Sequence, residues 1–388
     1  MQNIYPNSGN MHLRGTNIFF AFLALTVLFT SSCKKEFSKD EPLPDVFTPS
    51  VIISSQNGFV YALDPATGRK KWEFNAGANV QASPLIYKEN LYIAAENGRL
   101  YKMDPLKGTL KKTFVIPAQL LSTPTAENEF LYIGTGNNNM YAYDINADTL
   151  EWVFSTGGNI ISSPTIYDTV VIFGSYDGNV YAVDKIDGIQ VWSYTSPTAT
   201  QFYSSPVVSG GFVYIGGYDG VMYRLNVSDG TANWLRQAGG AIQSSPIVYG
   251  GNVIFGANDY KLYCVDTATG FPRWAPISLN DRIVSSPYAH NQLIYAGSYD
   301  FNMYAVNIID GTIKWQYKTE GIIKSSPLVY NQKLYFGSHD KHLYALEPAT
   351  GGLIWKQNIN GLIECSPVVD NMDGKSENTS SISGNSPN

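Results

Sequence analysis

Short apolar runs such as Val171-Ile172-Phe173-Gly174 and Val180-Tyr181-Ala182-Val183-Asp184 recur along the chain, separated by clusters of Gly, Asn, Asp and Ser. Runs of this length bounded by turn residues predict buried strands joined by hairpins. A Ser-Pro or Thr-Pro dipeptide sets the period, with prolines at Pro84, Pro124, Pro164, Pro206, Pro246, Pro287, Pro327 and Pro367, in steps of 40, 40, 42, 40, 41, 40 and 40. Each unit holds four strand candidates: one after the proline (Val207-Val208), the two runs above, and a fourth around Trp192. Four antiparallel strands repeated near every 40 residues predict an all-β, eight-bladed β-propeller over residues 51–370.

Asn57-Gly58, Asn97-Gly98, Asp177-Gly178 and Asp219-Gly220 separate the second and third strands. Such dipeptides adopt the positive φ of a two-residue hairpin turn. Asp259-Tyr260, Asp300-Phe301 and Asp340-Lys341 take their place in the last three units, so longer turns or left-handed strain are expected there. Asp64-Pro65-Ala66-Thr67-Gly68, and its counterparts at 266–270 and 347–351, place an acceptor for turn N–H groups and a Gly for the left-handed position. All seven tryptophans share one repeat position: Trp72, Trp152, Trp192, Trp234, Trp274, Trp315 and Trp355, with Lys112 in the remaining unit. That regularity predicts structural docking residues, and replacing Lys112 by Trp is expected to be neutral or mildly stabilising. A Tyr recurs likewise in all eight units, from Tyr61 to Tyr344, and is expected to pack the core.

The strand count requires a closure. Val51 to Phe74 supplies a second, third and fourth strand without an inner one, and the last inner strand, Pro367-Val368-Val369, has no others to follow it. Pairing Val368-Val369 with Val51-Ile52-Ile53 is expected to complete one blade and remove an open edge. Residues 371–388 carry too little apolar content to fold and are expected to form a disordered tail.

Ahead of the repeats, the stretch Ile18 to Phe29 follows Arg14 and precedes Thr30-Ser31-Ser32-Cys33, the order of a secretory signal. Twelve residues are too few to span a bilayer as a helix. Cys33 after small residues resembles a bacterial lipobox, with Thr30 where Leu is usual. Residues 1–32 are therefore expected to be a lipoprotein signal peptide, Cys33 the lipidation site and 33–50 a flexible tether. Translation starts at Met1 or Met11. Lys34, where inner-membrane retention signals carry Asp, favours an outer-membrane lipoprotein on the periplasmic face or the cell surface.

Charge narrows the partners. The chain has 388 residues, with 26 Lys+Arg against 32 Asp+Glu, and a net charge of -6 offers no cationic field for nucleic acid. Three cysteines, Cys33, Cys264 and Cys365, lack the paired spacing of a zinc site. Cys264 and Cys365 fall on different strand types three blades apart and are expected to be buried free thiols. His339 and His342 flank a hairpin turn, where solvent exposure is expected, and neither joins a metal set.

Tyr61-Ala62-Leu63-Asp64 through Trp72, Tyr181-Ala182-Val183-Asp184 through Trp192, and Tyr344 through Trp355 resemble the Ala-x-Asp-x-x-x-Gly-x-x-x-Trp docking motif of PQQ-like propeller repeats, over about residues 51 to 370. Two branches share that repeat: the quinoprotein dehydrogenases and the lipid-anchored assembly-factor propellers of the outer-membrane β-barrel machinery, the second similar in size, anchor and repeat number. The dehydrogenase branch implies a quinone held between a floor tryptophan and a disulfide of adjacent cysteines, with a calcium ion and an Asp base. This chain has no adjacent cysteines, every Trp sits at the docking position, and Asp64, Asp104, Asp144, Asp184 and Asp266 are periodic turn residues. No catalytic, cofactor or metal site is expected. The resemblance implies a non-enzymatic, lipid-anchored propeller that binds envelope proteins, among them outer-membrane assembly components, with contact to the membrane through the anchor alone. A quinoprotein relative and a glycan- or nutrient-binding surface lipoprotein are the alternatives.

The inner-strand approach loops and the turns between second and third strands share one rim of the channel. Three residues before each proline stand Gln81, Leu121, Ile161, Tyr203, Gln243, Val284, Lys324 and Glu364, with Arg282 nearby. Before the turn acids stand Tyr176, Tyr218, Tyr299 and His339. Because these residues vary while the scaffold repeats, Gln81, Tyr203, Gln243, Arg282, Lys324, Glu364, Tyr176, Tyr218, Tyr299 and His339 form the candidate partner-binding rim.

Overall fold

A computed structural model describes residues 48–371 and 376–377. The signal segment, Cys33, most of the tether and nearly all of the tail lie outside the described residues. The described chain forms eight sheets and no helix. Seven are four-stranded antiparallel blades made from consecutive segments, with inner strands at Leu85–Tyr87, Thr125–Glu127, Thr165–Tyr167, Val207–Ser209, Ile247–Tyr249, Tyr288–His290 and Leu328–Tyr330 (blades 2 to 8). Blade 1 is composite. Its inner strand, Val368–Asp370, pairs antiparallel with Ser50–Ser54, matching Ile52 to Val368 and Val51 to Val369, and Phe59–Leu63 and Lys70–Asn75 follow outward. The expected closure is therefore in place. A further short strand, Ser376–Glu377, pairs with Asp370 and Val369 inside the segment expected to be without structure.

Burial follows the sandwich geometry. Third strands such as Asn139–Asp144 are buried on both faces because each blade lies between two neighbours, whereas outer strands such as Lys70–Asn75 and Leu353–Asn358 alternate. Ile52, Val60 and Ala62 of blade 1 thus share one apolar cluster with Ile86, Leu91, Ile93 and Tyr101 of blade 2. Blade 6 departs from the expected outer strand. It keeps only Ile277–Ser278 plus a bridge at Pro272, because Pro272 and Pro276 flanking Trp274 lack the N–H that a ladder needs.

The tryptophans are latches between blades. Each indole Nε1 donates to a carbonyl in the turn of the next blade, from Trp72 to Pro105 at 2.9 Å round to Trp355 and Pro65 at 3.2 Å. Each ring also lies flat on that turn's glycine. A β-carbon at Gly68, Gly108, Gly188, Gly230, Gly270, Gly311 or Gly351 would come within 2.5–3.0 Å of the facing indole. Trp152 and Trp192 are buried, whereas the other five keep part of the ring in solvent. The eighth seam, between blades 2 and 3, is built differently. Lys112 pairs there with Asp148, which occupies the glycine position at φ 61, and Lys102 Nζ takes the latch acceptor, the Ile145 carbonyl, at 3.0 Å.

Around the channel, the residue before each proline forms a belt. The backbone N–H of Ser83 donates to the Thr123 hydroxyl, Thr123 to Ser163, and so on through Ser205, Ser245, Ser286 and Ser326, while Ser366 donates to Ser83, all at 2.9–3.1 Å. This is the physical reason for the Ser-Pro repeat: the hydroxyl satisfies an inner-edge N–H that has no strand partner. One residue earlier, buried serines such as Ser162 and Ser244 accept from the glycine N–H of the second strand, and Cys365 stands in that position in blade 1, its thiol accepting from Ser54 N–H at 3.3 Å. Burial pushes the Cys365 thiol up to about 12, so it stays protonated. Cys264 and Cys365 are both buried and free, as expected.

Candidate binding rim

Hairpin geometry builds the rim. In blades 4 to 8 the repeated tyrosine, expected only to pack, also donates its hydroxyl to the turn acid four residues earlier: Tyr181 to Asp177 at 2.8 Å, Tyr223 to Asp219 at 2.6 Å, Tyr344 to Asp340 at 2.6 Å. The same carboxylate oxygen, Oδ2, also faces the approach loop, where Gly157, Gly239 and Glu320 donate N–H groups to Asp177, Asp259 and Asp340. A ring of backbone bonds completes the rim, with Tyr176 N–H donating to Asn159 O at 2.9 Å, Tyr299 N–H to Arg282 O at 3.0 Å and His339 N–H to Ile322 O at 3.0 Å. The turns of blades 6, 7 and 8 are not lengthened. Tyr260, Phe301 and Lys341 adopt φ of 69, 74 and 72, so these turns carry the left-handed strain instead.

On this frame the candidate residues separate into two sectors. The charged sector joins blades 7, 8 and 1. Lys324 Nζ lies 2.6 Å from Glu364 Oε1, and His339 Nε2 lies 3.1 Å from the same oxygen. Burial alone would raise the Glu364 carboxyl, but the hydrogen bonds from His339 and Lys324, reinforced by the lysine charge, hold it at about 2. Burial likewise opposes the charge on Lys324, and its bond to Glu364 overcomes that and raises its pKa. The Arg282 guanidinium stacks 4.3 Å from the Tyr299 ring centroid. The expected solvent exposure of the histidines is overturned: the side chains of His339 and His342 are only 18% and 20% exposed, and His342 Nδ1 lies 2.9 Å from Asp340 O.

The aromatic sector covers blades 4 to 7. Tyr176 and Tyr203 pack with ring centroids 6.0 Å apart; burial and the proximity of Tyr203 raise the Tyr176 phenol, and burial raises that of Tyr203 against the charge of Lys324. Tyr203 and Tyr218 are 38% and 50% exposed. Gln81 and Gln243 are half-buried on blades 2 and 6. Tyr260, 49% exposed, and Phe301, 38% exposed, belong to the same rim and were missed by the sequence reading, which took the residue before each turn acid and not the one after. The signal was present as a bulky side chain where the repeat has glycine. Asn258, another omission, keeps a buried Oδ1 without a hydrogen-bond partner beside Tyr260. Among the described residues, no group of three or more His, Cys, Asp or Glu side chains is placed to hold a metal ion.

The profile of the family described as outer membrane protein assembly factor BamB matches residues 42–115, 116–204, 195–277 and 260–371. Among solved structures, the chain is similar to BamB from Moraxella catarrhalis, with 19% identity, TM-score 0.65, and 76% of this chain and 92% of that one covered. A computationally designed protein, Ika8, superposes with 13% identity, TM-score 0.68, and coverage of 78% and 91%. A europium-containing methanol dehydrogenase does so with 13% identity, TM-score 0.69, and coverage of 79% and 83%. These likenesses show the fold. No curated protein sequence matches the chain significantly.

Proposed function

The chain belongs to the outer membrane protein assembly factor BamB family, and from that membership we propose that it is a non-enzymatic scaffold propeller of the bacterial envelope. It is exported, anchored to the outer membrane through Cys33, and binds envelope proteins, outer-membrane β-barrel assembly components among them. The observation that carries this reading is the collection of the non-repeating polar and aromatic side chains on one rim of an otherwise uniform ring. The charged sector is the docking element: Lys324 is bonded to Glu364 and His339 packs its Nε2 3.1 Å from the same oxygen, so a partner meets a preorganised charge pattern and loses little side-chain entropy on binding.

The non-enzymatic part is supported by what the side chains already do. All seven indoles are committed to the blade seams, and the two described cysteines sit on different blades. Fold likeness to a dehydrogenase does not supply a site. Affinity purification of the tagged full chain from the native envelope should recover outer-membrane assembly proteins. The triple variant Tyr203→Ala, Arg282→Ala, Lys324→Ala should lose them while eluting as a folded monomer. Unchanged recovery would remove this rim from the interface, and uptake of pyrroloquinoline quinone with calcium would overturn the non-enzymatic reading. A Cys33→Ser variant should leave the membrane fraction on a salt wash; retention would refute the anchor.

A further inference from the structure

The aromatic sector asks for its own explanation beyond the protein-binding reading, with which it shares Tyr203, whose phenol lies in the field of Lys324 and Glu364. Tyr260 and Phe301 occupy turn positions where blades 1, 2, 4 and 5 place Gly58, Gly98, Gly178 and Gly220 at φ of 83, 76, 92 and 79. Left-handed backbone is disfavoured for any residue that carries a β-carbon. Asn138 and Lys341 hold the same position in blades 3 and 8 at φ of 69 and 72, so what sets blades 6 and 7 apart is a partly exposed aromatic ring carried on the strained turn. Strain that persists without a structural return is a mark of a functional position. With Tyr176, Tyr203, Tyr218 and Tyr299 they make an aromatic arc over four consecutive blades.

Three observations select the ligand. First, the four exposed large apolar residues on the rim of blades 4 to 7, Tyr203, Tyr218, Tyr260 and Phe301, are all aromatic, with the aliphatic Ile161 and Val284 half-buried as Tyr176 and Tyr299 are. A polypeptide-binding patch mixes aliphatic and aromatic side chains, while a set of ring faces alone suits the C–H faces of sugars, whose partial positive charge meets the negative face of the ring quadrupole. Second, the rim backbone is already bonded to itself, so there is no open strand edge for a peptide to extend. Third, the charged groups are engaged: Arg282 stacks on Tyr299, Lys324 holds Glu364, and Asp177, Asp219 and Asp259 accept tyrosine hydroxyls. Three buried rim atoms among the described residues have no hydrogen-bond partner, Glu96 Oε1, His339 Nε2 and Asn258 Oδ1, and of these Asn258 Oδ1 lies within blades 4 to 7, as an acceptor for a hydroxyl.

We propose that the arc of Tyr176, Tyr203, Tyr218, Tyr260, Tyr299 and Phe301 binds a neutral oligosaccharide by stacking sugar rings on successive blades, with Asn258 accepting a hydroxyl hydrogen bond. The full chain is run in native gels containing, one at a time, a soluble α-glucan, β-glucan, mannan, xylan or galactan. At least one polysaccharide should retard the wild type. The double variant Tyr260→Gly, Phe301→Gly should lose at least tenfold in affinity while its thermal midpoint holds or rises, since glycine relieves the strained turns. Loss of binding together with gained stability is a result that a merely structural role would not give. The proposal is overturned if none of the five polysaccharides retards the wild type, or if the double variant binds as well as the wild type. It is likewise overturned if that variant keeps polysaccharide binding and loses a captured protein instead, which would make the arc a polypeptide surface.

Discussion

The seam between blades 2 and 3 offers the sharpest test of how this ring is held. At seven seams an indole lies on a glycine and bonds the carbonyl one residue after the Asp, Asn or Glu that opens the turn; at the eighth, Lys112, Asp148 and Lys102 replace indole, glycine and the usual small residue, for which Ala62, Ala142 and Ala182 stand elsewhere. The sequence expectation for Lys112→Trp alone, neutral or mildly stabilising, is therefore corrected. The new ring would meet the Asp148 side chain where every other latch has a glycine, and Lys102 would still hold the Ile145 carbonyl. Overpacking of this kind costs about 1–3 kcal/mol, and the lost Lys112–Asp148 pair, being largely exposed, adds no more than about 1 kcal/mol. Asp148→Gly relieves a left-handed residue and opens the ring's seat. Lys102→Ala frees the acceptor. In the triple variant, a half-buried indole removing on the order of 100 Å² from water should return about 2–3 kcal/mol by area. Urea midpoints for the single, paired and triple variants, read as a mutant cycle, should give a coupling of at least about 1 kcal/mol between positions 112 and 148. Additive midpoints, or a stabilising Lys112→Trp in the presence of Asp148, would refute the latch geometry.

Trp192→Ala, at a buried latch, should cost about 3–5 kcal/mol in denaturant unfolding, and a wild-type midpoint would remove its structural role. Burial and a bond to the turn acid raise the Tyr181 and Tyr263 hydroxyls to about 12, above the ordinary value of 10.0. Their contribution is thus full below about pH 10 and lost as pH rises through 12, and Tyr181→Phe should flatten that alkaline limb. For Glu364, held at about 2 against an ordinary 4.5, the sign reverses: its contribution is present above about pH 4.5 and lost as pH falls through 2. Glu364→Gln should flatten the acid limb, and an unchanged slope would contradict the Lys324–His339–Glu364 geometry. Truncation from Cys365 onward removes the inner strand of blade 1 and should sharply raise protease sensitivity; resistance equal to the full chain would defeat the closure.

What the sequence made legible was whatever repeats. Eight dipeptides, seven tryptophans and the orphan strand at Val51 led to the ring and its closure because each is a local rule applied many times, so a single misreading is outvoted. The sequence showed less about why each rule holds. The hydroxyl before the proline, the glycine under the indole and the tyrosine on the turn acid are relations between residues about 40, about 36 and four positions apart, and only the last is local. The same distinction separates the two sectors of the rim. Lys324 and Glu364 are 40 residues apart and look like two unrelated variable positions until the ring brings them to 2.6 Å, at which point the pair explains why both are polar in a place where Leu121 and Ile161 suffice on other blades. Tyr260 and Phe301 are the opposite case, visible in the sequence as violations of the turn rule, and their meaning lies in the violation. Blades 1, 2, 4 and 5 carry glycine at this site and blades 3 and 8 carry the polar Asn138 and Lys341, so an aromatic there is found in blades 6 and 7 alone among the eight. Selection for the ring alone does not account for two strained, solvent-facing aromatics on adjacent blades, whereas a ligand that covers them would return the apolar area that the fold leaves exposed.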